Sequence, residues 1–548
     1  MPRIEAGLQD LLALARLDGP EGLSELLEPL KAELDGIDDD MVKIELNDTN
    51  RPDLWTVEGV ARGIRCWSNG AEPHLEGLSE PSVELVVHPG LEGIRPWIAS
   101  FTSSNWAPGE SGLAALVNAQ EKLCATMGRD RRVAAIGFYK LAGMAFPVHY
   151  RPASPDTRFH PLGHPGAMSL ADVLDKTDTG VKYAGLLRGF DSFPFLEDAE
   201  GRALSFPPVL NSEGTGRVEP EDSELFCEVT GTDRHTVQLL ATILACALED
   251  RGATIHPVRV VYPDGSVTVT PVKYADTLTA SLEDIRRIIG LAIPGEQVPD
   301  LLARMDYSGV EVADGSVTAV MPPYRRDGIH PRDMLEDITI AYGLNRIEPL
   351  VPSEFTLGRC SPDSSLASSI KILLVGTGCE EIIRPVLTGA GKITGLTATP
   401  DPPVRISNPM TAEYSAVCNT VLPCLLEVES VSAHAAFPHR LFTVGEVLRR
   451  TPKGVLETLW SLGVLTAGAG ADFGSVHSLL GVLAHNRGIT LRLHQKDDPR
   501  FIPGRSAAIL LGDVEAGMIG EFHPGVLSAW GIQVPASGFE VSIESLRG

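Results

Sequence analysis

No stretch of this sequence stays apolar for long enough to cross a lipid bilayer, so we expect no transmembrane helix. The eight cysteines form no CxxC pair, which argues against a structural zinc site and against thioredoxin-like chemistry. A GxxxxGK[ST] phosphate-binding loop and a GxSxG nucleophile elbow are also missing. These absences exclude P-loop and α/β-hydrolase mechanisms, and they predict buried free thiols in a reducing compartment.

The N-terminal residues 1–19 are acidic and amphipathic, and they lack the basic region, apolar stretch and cleavage site of a secretory signal. We therefore expect a cytoplasmic protein with no membrane partner. The formal net charge of −26 argues against a general binder of DNA or other polyanions. Any contact with nucleic acid must come from local basic patches or from a partner chain.

The pattern predicts a multidomain α+β fold, because 548 residues are too many for one hydrophobic core. Residues 1–88 are predicted to form an N-terminal α/β domain, and residues 89–275 a second, mixed α/β domain. Residues 276–350 combine helices with a short Asp-Gly hairpin, which is typical of a small winged-helix-like module. Residues 351–548 hold short strands and a few helices, which indicate an antiparallel sheet.

Four carboxylates lie within eleven residues of the third segment: Asp327, Asp333, Glu336 and Asp337. The last three stand at i, i+3 and i+4, so they share one face if the segment is helical. Like charges placed in this way repel each other unless a cation neutralises them, and oxygen ligands suit Mg²⁺. The alternative is an acidic first turn that favours the positive end of a helix. The spacing alone leaves both interpretations open.

The residues around these carboxylates carry a family resemblance. The string PPYRRDGIHPRDMLEDITIAYGLNRIEP resembles the β subunit of phenylalanyl-tRNA synthetase, in which the matching part follows an Arg-Asp pair and ends in a Tyr-Gly-x-Asn turn. MVKIELNDTNRPDLWTVEGVARGIR near the start and PGRSA in the last segment resemble the same family. Because the four carboxylates fall on the family's Mg²⁺ positions, the resemblance implies a site formed by Asp327, Asp333, Glu336 and Asp337.

The resemblance covers nearly the whole chain and is to the archaeal and eukaryotic type of the subunit. It implies an α₂β₂ enzyme that joins phenylalanine to tRNA-Phe with ATP, with the aminoacylation site on the α subunit. The last segment resembles a class II synthetase sheet domain that does not perform aminoacylation. Phosphoryl chemistry needs cations aimed at the phosphates, and Cys418 stands where an Arg is common in the family. We expect this segment to be a platform for the α subunit.

A second class of function stays open beside this one. A stand-alone tRNA deacylase, or a non-catalytic paralogue that binds tRNA or protein, would be built from the same segments. Binding to an α subunit of the same organism would separate these alternatives.

The second segment resembles the editing domain of the same family, which hydrolyses tyrosine wrongly attached to tRNA-Phe. The matching strings include LCATMGRDRRVAAIG and LSFPPVLNSEGTGRV. A site that hydrogen-bonds a substrate hydroxyl rejects the analogue without it, because its own polar groups would be left unpaired. The polar residues that we expect to line such a pocket are Ser205, Asn211, Glu213, Thr230 and Asp233. The alternative is that they serve as turn residues.

One motif departs from the family pattern. Where the family usually reads Ile-Gly-x-His-Asp-Leu, this chain has Ile136-Gly137-Phe138-Tyr139-Lys140-Leu141, so Tyr139-Lys140 replaces a His-Asp pair. This change bears on the editing chemistry and not on the fold. We therefore predict that editing is retained in an altered form.

Overall fold

The computed structural model describes residues 3–47, 50–451 and 453–547. The chain forms two compact units, Met1–Leu350 and Val351–Gly548. Both units mix helices with β-sheets, as the predicted multidomain α+β class requires. In the part of the chain that the structure describes, no helix is both long and apolar enough to span a membrane.

A three-stranded antiparallel sheet begins the first unit, with strand order Arg3–Gly7, Met41–Leu46, Ala32–Asp38. The helix Val57–Asn69 follows it, and the Thr56 side chain caps this helix by accepting a hydrogen bond from Gly59 N at 2.9 Å. A threonine hydroxyl at this position satisfies an amide that has no partner within the helix. Thr56 therefore fixes the start of this helix.

The largest sheet of the first unit has ten strands, and we call it the long sheet. In the region that the structure describes, its strand order is Leu210–Asn211, Ala203–Phe206, Phe193–Glu197, Val148–Ala153, Val83–Val87, Thr254–Val261, Trp97–Ser104, Leu225–Gly231 and Ala134–Lys140, with Val267–Thr270 paired to Thr254–Val261. Most neighbouring strands are antiparallel, but Val83–Val87 runs parallel to both of its partners. The strand Val83–Val87 therefore pairs with strands of segment 89–275, although the predicted boundary assigned it to the N-terminal domain, residues 1–88.

Two long helices pack beside the long sheet, Gly109–Ala125 and Arg234–Asp250. The second is apolar for most of its length and its residues from Leu239 to Leu248 are buried in the same core as the neighbouring strands. Asp233 caps it by accepting a hydrogen bond from Thr236 N at 2.8 Å. Burial of this apolar face fixes the helix against the strands Trp97–Ser104 and Leu225–Gly231.

The third segment forms a small sheet with strand order Thr277–Ser281, Ser316–Val320, Ser308–Ala313. The helices Leu282–Ile289 and Val298–Arg304 accompany this sheet, as the predicted combination of helices with a hairpin requires. The acidic helix, Pro331–Tyr342, packs its apolar residues into the same core.

The second unit is built on a seven-stranded sheet. Its strand order is Glu380–Glu381, His439–Arg450, Leu456–Ala467, Ala536–Ser542, Val514–Phe522, Phe501–Leu511 and Leu491–Gln495. All its pairs are antiparallel except the first. The helices that accompany it are Pro362–Gly376, Leu422–Val431, Phe473–Asn486 and Pro524–Trp530.

Shorter elements complete both units. The remaining α-helices are Leu8–Ala15, Leu23–Leu27, Leu170–Lys176, Asp178–Tyr183 and Glu213–Gly216. The small sheets pair Arg158–Phe159 with Met168–Ser169, and Ala416–Val417 with Leu387–Thr388 and Val404–Arg405. The cysteines are free thiols as predicted, but Cys360 is exposed, so the expectation of burial was wrong there.

Candidate functional site

The two ends of the long sheet meet at one point. Tyr139 lies on its last strand, and Ser205 lies on the second strand from the opposite end, yet their hydroxyl oxygens are 2.8 Å apart. Asn211 Nδ2 donates a hydrogen bond to the carbonyl of Phe138 at 3.3 Å across the same junction. The sheet therefore curls until its ends are joined by side chains.

The curled sheet lines a cavity of about 570 Å³, which we call the central cavity. Its walls are largely apolar and include Leu116, Phe138 and Val209. Ser205, Asn211 and Glu228 supply polar groups on the same walls. An apolar cleft of this volume with a few polar groups is the usual form of a small-molecule site.

Glu228 is a buried carboxylate in the middle of the strand Leu225–Gly231. One of its oxygens lies 3.0 Å from the Tyr139 hydroxyl. Its other oxygen, Oε2, has no hydrogen-bond partner among the described residues. Burial raises the pKa of Glu228 to about 7, against the smaller lowering effects of the Tyr139 hydrogen bond and of Arg95.

The Tyr139 hydroxyl has one proton and two close oxygen neighbours, Ser205 Oγ and Glu228 Oε1. Tyr139 is the donor in both contacts, so its single proton is shared between the serine hydroxyl and the carboxylate. The phenol thereby links Ser205 to Glu228. Burial, reinforced by the negative charge of Glu228, raises the pKa of Tyr139 far above its usual range, so the phenol keeps its proton.

Gly137 makes room for this chain. It pairs with Glu228 across the two strands, and a Cβ atom at position 137 would lie 2.3 Å from the Tyr139 hydroxyl and 2.7 Å from Glu228 Oε1. Real Cβ atoms do not approach other atoms so closely. The missing side chain therefore lets the Tyr139 ring fold back over residue 137 and reach the carboxylate.

The structure brings two of the predicted pocket residues together at the central cavity, Ser205 and Asn211. Glu213 accepts hydrogen bonds from Gly163 N and Arg217 Nε at 2.7 Å each, and both partners line the cavity. The bond from Arg217, and then that from Gly163, lower the pKa of Glu213 to about 2. Glu213 thus connects two residues that line the central cavity.

The other two predicted residues make structural contacts. Thr230 is fully buried, and its hydroxyl accepts a hydrogen bond from Arg95 Nε at 3.1 Å. Asp233 caps the helix Arg234–Asp250. Neither is among the described residues that line the cavity.

Glu228 is the site residue that reasoning from the sequence missed. A usable signal was present, because Glu228 is a single acid in the otherwise apolar stretch LFCEV. A charge inside a buried strand requires a partner or a function. Tyr139 was recognised as a departure from the family pattern, but its contact with Glu228 joins residues 89 positions apart.

The four carboxylates of the third segment line one small cavity of about 30 Å³, together with Arg51. Two of the four are held by Arg325, a buried guanidinium. Its Nη2 lies 2.6 Å from Asp327 and 2.9 Å from Asp337. Burial works to raise the pKa of Asp327, but the charge and hydrogen bond of Arg325, together with smaller effects such as the Arg51 charge, lower it by more, and the net shift is downward.

The remaining two carboxylates lie at the start of the acidic helix. Asp333 Oδ2 accepts hydrogen bonds from the backbone amides of Ile329 and His330 at 2.8 Å each. Glu336 pairs with Lys31 at 2.7 Å and is more than half exposed. His330 caps the helix, accepting from Arg332 N at 3.1 Å.

These contacts bear on how Mg²⁺ would fit. In the described chain, no three His, Cys, Asp or Glu side chains come close enough together to hold a metal ion. A four-carboxylate cage does not fit, because Arg325 already neutralises Asp327 and Asp337. Mg²⁺ usually keeps several waters and takes only one or two carboxylates, and Asp333 and Glu336 meet that smaller requirement.

Comparison with known proteins gives matches along the whole chain. The family model for the "Phenylalanyl tRNA synthetase beta chain CLM domain" matches residues 347–543, and the "tRNA synthetase B5 domain" matches residues 278–344. The phenylalanine–tRNA ligase beta subunit of Pyrococcus furiosus is 36% identical over 561 residues, with 100% of both chains covered. The corresponding protein of Treponema pallidum is 36% identical over 524 residues, covering 92% of this chain and 87% of its own.

A solved structure agrees with these matches. It is the crystal structure of an N-terminal fragment of the phenylalanyl-tRNA synthetase beta subunit from Pyrococcus horikoshii. The fragment is 34% identical, has a TM-score of 0.60, and covers 62% of this chain and 100% of its own.

The burial of Glu228 predicts a pH-dependent stability. In the unfolded chain this carboxyl ionises near its usual pKa of 4.5, and in the folded protein only near 7. Ionisation therefore favours the unfolded state, and stability falls as pH rises from about 4.5 to 7. Glu228→Gln removes this loss. We therefore expect the difference in free energy of unfolding between the variant and wild type to rise by up to about 3 kcal/mol from pH 4.5 to pH 8.

Denaturant unfolding at both pH values measures this effect, and the exposed Glu224→Gln is the matched control. A variant-minus-wild-type difference in unfolding free energy that stays constant with pH would contradict the assignment.

Proposed function

We propose, from the membership of this chain in the phenylalanine–tRNA ligase beta subunit family, that it works as the β subunit of a heteromeric ligase that forms Phe-tRNA-Phe from ATP, phenylalanine and tRNA-Phe. The observation that carries this proposal is the similarity over the full length of both chains. The partners are an α subunit, in an α₂β₂ assembly, and tRNA-Phe. The enzyme works in the cytoplasm.

The second unit is proposed as the platform for the α subunit, with a class II-like sheet that does not carry aminoacylation. The helix Pro362–Gly376 presents the apolar side chains of Ile372 and Val375 to solvent, 73% and 58% exposed. Ile383, 94% exposed, follows the edge strand that this helix contacts through the Lys371–Glu381 ion pair at 2.5 Å. Large apolar side chains exposed together are typical of a surface that a partner covers.

Replacing Ile372 and Val375 by Asp is therefore expected to weaken assembly with the α subunit at least about tenfold, because two charges would be desolvated at the interface. Co-purification and analytical ultracentrifugation of the co-expressed subunits measure this. Val514→Asp is the matched control, since Val514 is also 58% exposed in this unit. Wild-type chain that binds no α subunit of its own organism would refute the ligase proposal and favour a stand-alone deacylase or a binding paralogue.

The central cavity is proposed as a hydrolytic editing site for tyrosine wrongly attached to tRNA-Phe. Water adds to the ester carbonyl, the bond to the ribose oxygen breaks, and tyrosine and tRNA with a free hydroxyl leave. The observation that supports this is Glu228, which lines the cavity beside other polar residues and whose Oε2 is a buried acceptor with no hydrogen-bond partner among the described residues. A tyrosyl hydroxyl satisfies such an acceptor, and a phenylalanyl group leaves it unpaired.

In this proposal the remaining polar residues hold the walls of the site in place. Ser205 and Asn211 hold Tyr139 and the neighbouring strand in place. Glu213 holds the loop at Gly163. Asp233 fixes the helix start behind the long sheet.

Deacylation of Tyr-tRNA-Phe by the assembled enzyme tests the editing proposal. Wild type is expected to hydrolyse Tyr-tRNA-Phe well above the uncatalysed rate and to leave Phe-tRNA-Phe largely intact. Glu228→Gln weakens the hydrogen bond accepted from the tyrosyl hydroxyl. The ratio of the Tyr-tRNA-Phe rate to the Phe-tRNA-Phe rate should therefore fall at least about tenfold. Glu224→Gln should keep it, and a wild-type rate equal to the uncatalysed rate would reject the proposal.

A Mg²⁺ ion is proposed at the start of the acidic helix, held by Asp333 and Glu336 with waters, in a small winged-helix-like module. Asp327 and Asp337 neutralise Arg325 instead of binding the ion directly. The support is the pair of carboxylates one helical turn apart beside the 30 Å³ cavity. Bound there, the ion would screen the repulsion between these acids and steady the helix start.

Combining Asp333→Asn with Glu336→Gln should weaken Mg²⁺ binding at least about tenfold, because both charged ligands are lost. Isothermal titration with Mg²⁺ measures this. The control combines Glu283→Gln with Glu296→Gln, two acids of the same segment outside the cavity lining. Equal Mg²⁺ affinities in the two variants would contradict the metal site and favour an ordinary acidic helix start.

A further inference from the structure

A tyrosine of the protein itself contacts two polar residues that line the central cavity, Ser205 and Glu228. Tyr139 is fully buried and its hydroxyl lies within 3.0 Å of both Ser205 and Glu228. It stands where the resembling family usually has a histidine. A tyrosine in this position therefore engages the same polar groups that a tyrosyl substrate would use.

We infer that Tyr139 is a positioning residue for the proposed hydrolysis: it holds Glu228 through Oε1, so that Oε2 is the acceptor left to distinguish a tyrosyl from a phenylalanyl ester. The inference rests on the editing function proposed above. It explains why one oxygen of the same buried carboxylate has a partner and the other has none.

Hydrogen-bond geometry supports this assignment. Tyr139 donates towards both Ser205 and Glu228, so its hydroxyl proton is not available to a ligand. Asn211 uses its amide nitrogen on the Phe138 carbonyl, and its Oδ1 lies 3.5 Å from the Tyr139 hydroxyl. Glu228 is thus left with an acceptor while the donors of Tyr139 and Asn211 are engaged, which suits a ligand that donates a hydroxyl proton.

The groups that act electrostatically on Glu228 come from several neighbouring strands and loops: Arg95, Cys124, Tyr139, Tyr150 and Cys227. Arg95 is the buried cation among these, and its guanidinium donates to Thr230 and to the backbone of Arg131. Burial raises the pKa of both thiols and of Tyr150, so these three stay neutral near pH 7. Of this set, Tyr139 makes the hydrogen bond to the carboxylate.

The test measures deacylation of Tyr-tRNA-Phe and Phe-tRNA-Phe by the assembled enzyme from pH 5.5 to 8.5. The hydroxide-catalysed background, measured without enzyme at each pH, is subtracted from both rates before their ratio is taken. In wild type the ratio should rise through pH about 7 as Glu228 ionises and becomes the stronger acceptor. Tyr139→Phe removes the hydrogen bond that favours ionisation, so the midpoint should move to higher pH. For a shift of about one pH unit the ratio at pH 7 falls about fivefold.

Tyr262→Phe is the matched control, because Tyr262 is a buried tyrosine of the same sheet whose hydroxyl donates to the Ile98 carbonyl at 2.9 Å. It should leave the midpoint unchanged. If Tyr139→Phe fails to fold, Ser205→Ala serves instead, since it removes the other acceptor of the Tyr139 proton and should move the midpoint to lower pH.

The outcomes separate the two proposals. A wild-type preference for the tyrosyl ester with an unchanged pH midpoint in Tyr139→Phe overturns the role of Tyr139 and leaves the editing function standing. Wild-type hydrolysis no faster than background overturns the editing function itself, and the role of Tyr139 falls with it. A shifted midpoint in Tyr139→Phe, with none in Tyr262→Phe, supports both.

Discussion

The contact between Tyr139 and Glu228 across Gly137 is the constraint on which the candidate site depends. A carboxylate inside an apolar strand is unfavourable unless its oxygens find partners, and here one oxygen has a phenol while the other is buried with no hydrogen-bond partner among the described residues. The same phenol lies beside Ser205 from the far end of the long sheet. One side chain thus satisfies a buried charge and joins the two ends of the sheet that lines the cavity.

Buried ion pairs play a similar part elsewhere in the first unit. Arg62 lies 2.5 Å from Asp250, and Arg251 pairs with Asp10 at 2.8 Å and with Glu58, which ties the N-terminal helices to the end of Arg234–Asp250. A buried pair contributes little net stability, but loss of one partner leaves an uncompensated charge. Such pairs therefore fix how the segments of this unit join more than they add to its stability.

The sequence predicted the helices and strands better than it predicted the residues of the candidate site. The acidic helix start and the Asp-Gly hairpin of the third segment were indicated by the sequence, since both signals are local. Ser205 and Asn211 were predicted from a resemblance and do line the cavity. Glu228 was not, because its importance comes from burial and from a partner on another strand. The proposed division of the first unit into three domains, and the roles of the site residues, stay predictions.

The sequence by itself determined the family, the periodic helices and strands, and the clustering of four acids at 327–337. Each of these features depends on residues that are close together along the chain. Only the tertiary structure decided that Arg325 neutralises two of those acids and that all four line one small cavity. It also decided that the ends of the long sheet meet at Tyr139. Curling of a sheet and burial of a charge depend on contacts between residues distant in sequence, and local patterns do not encode those contacts.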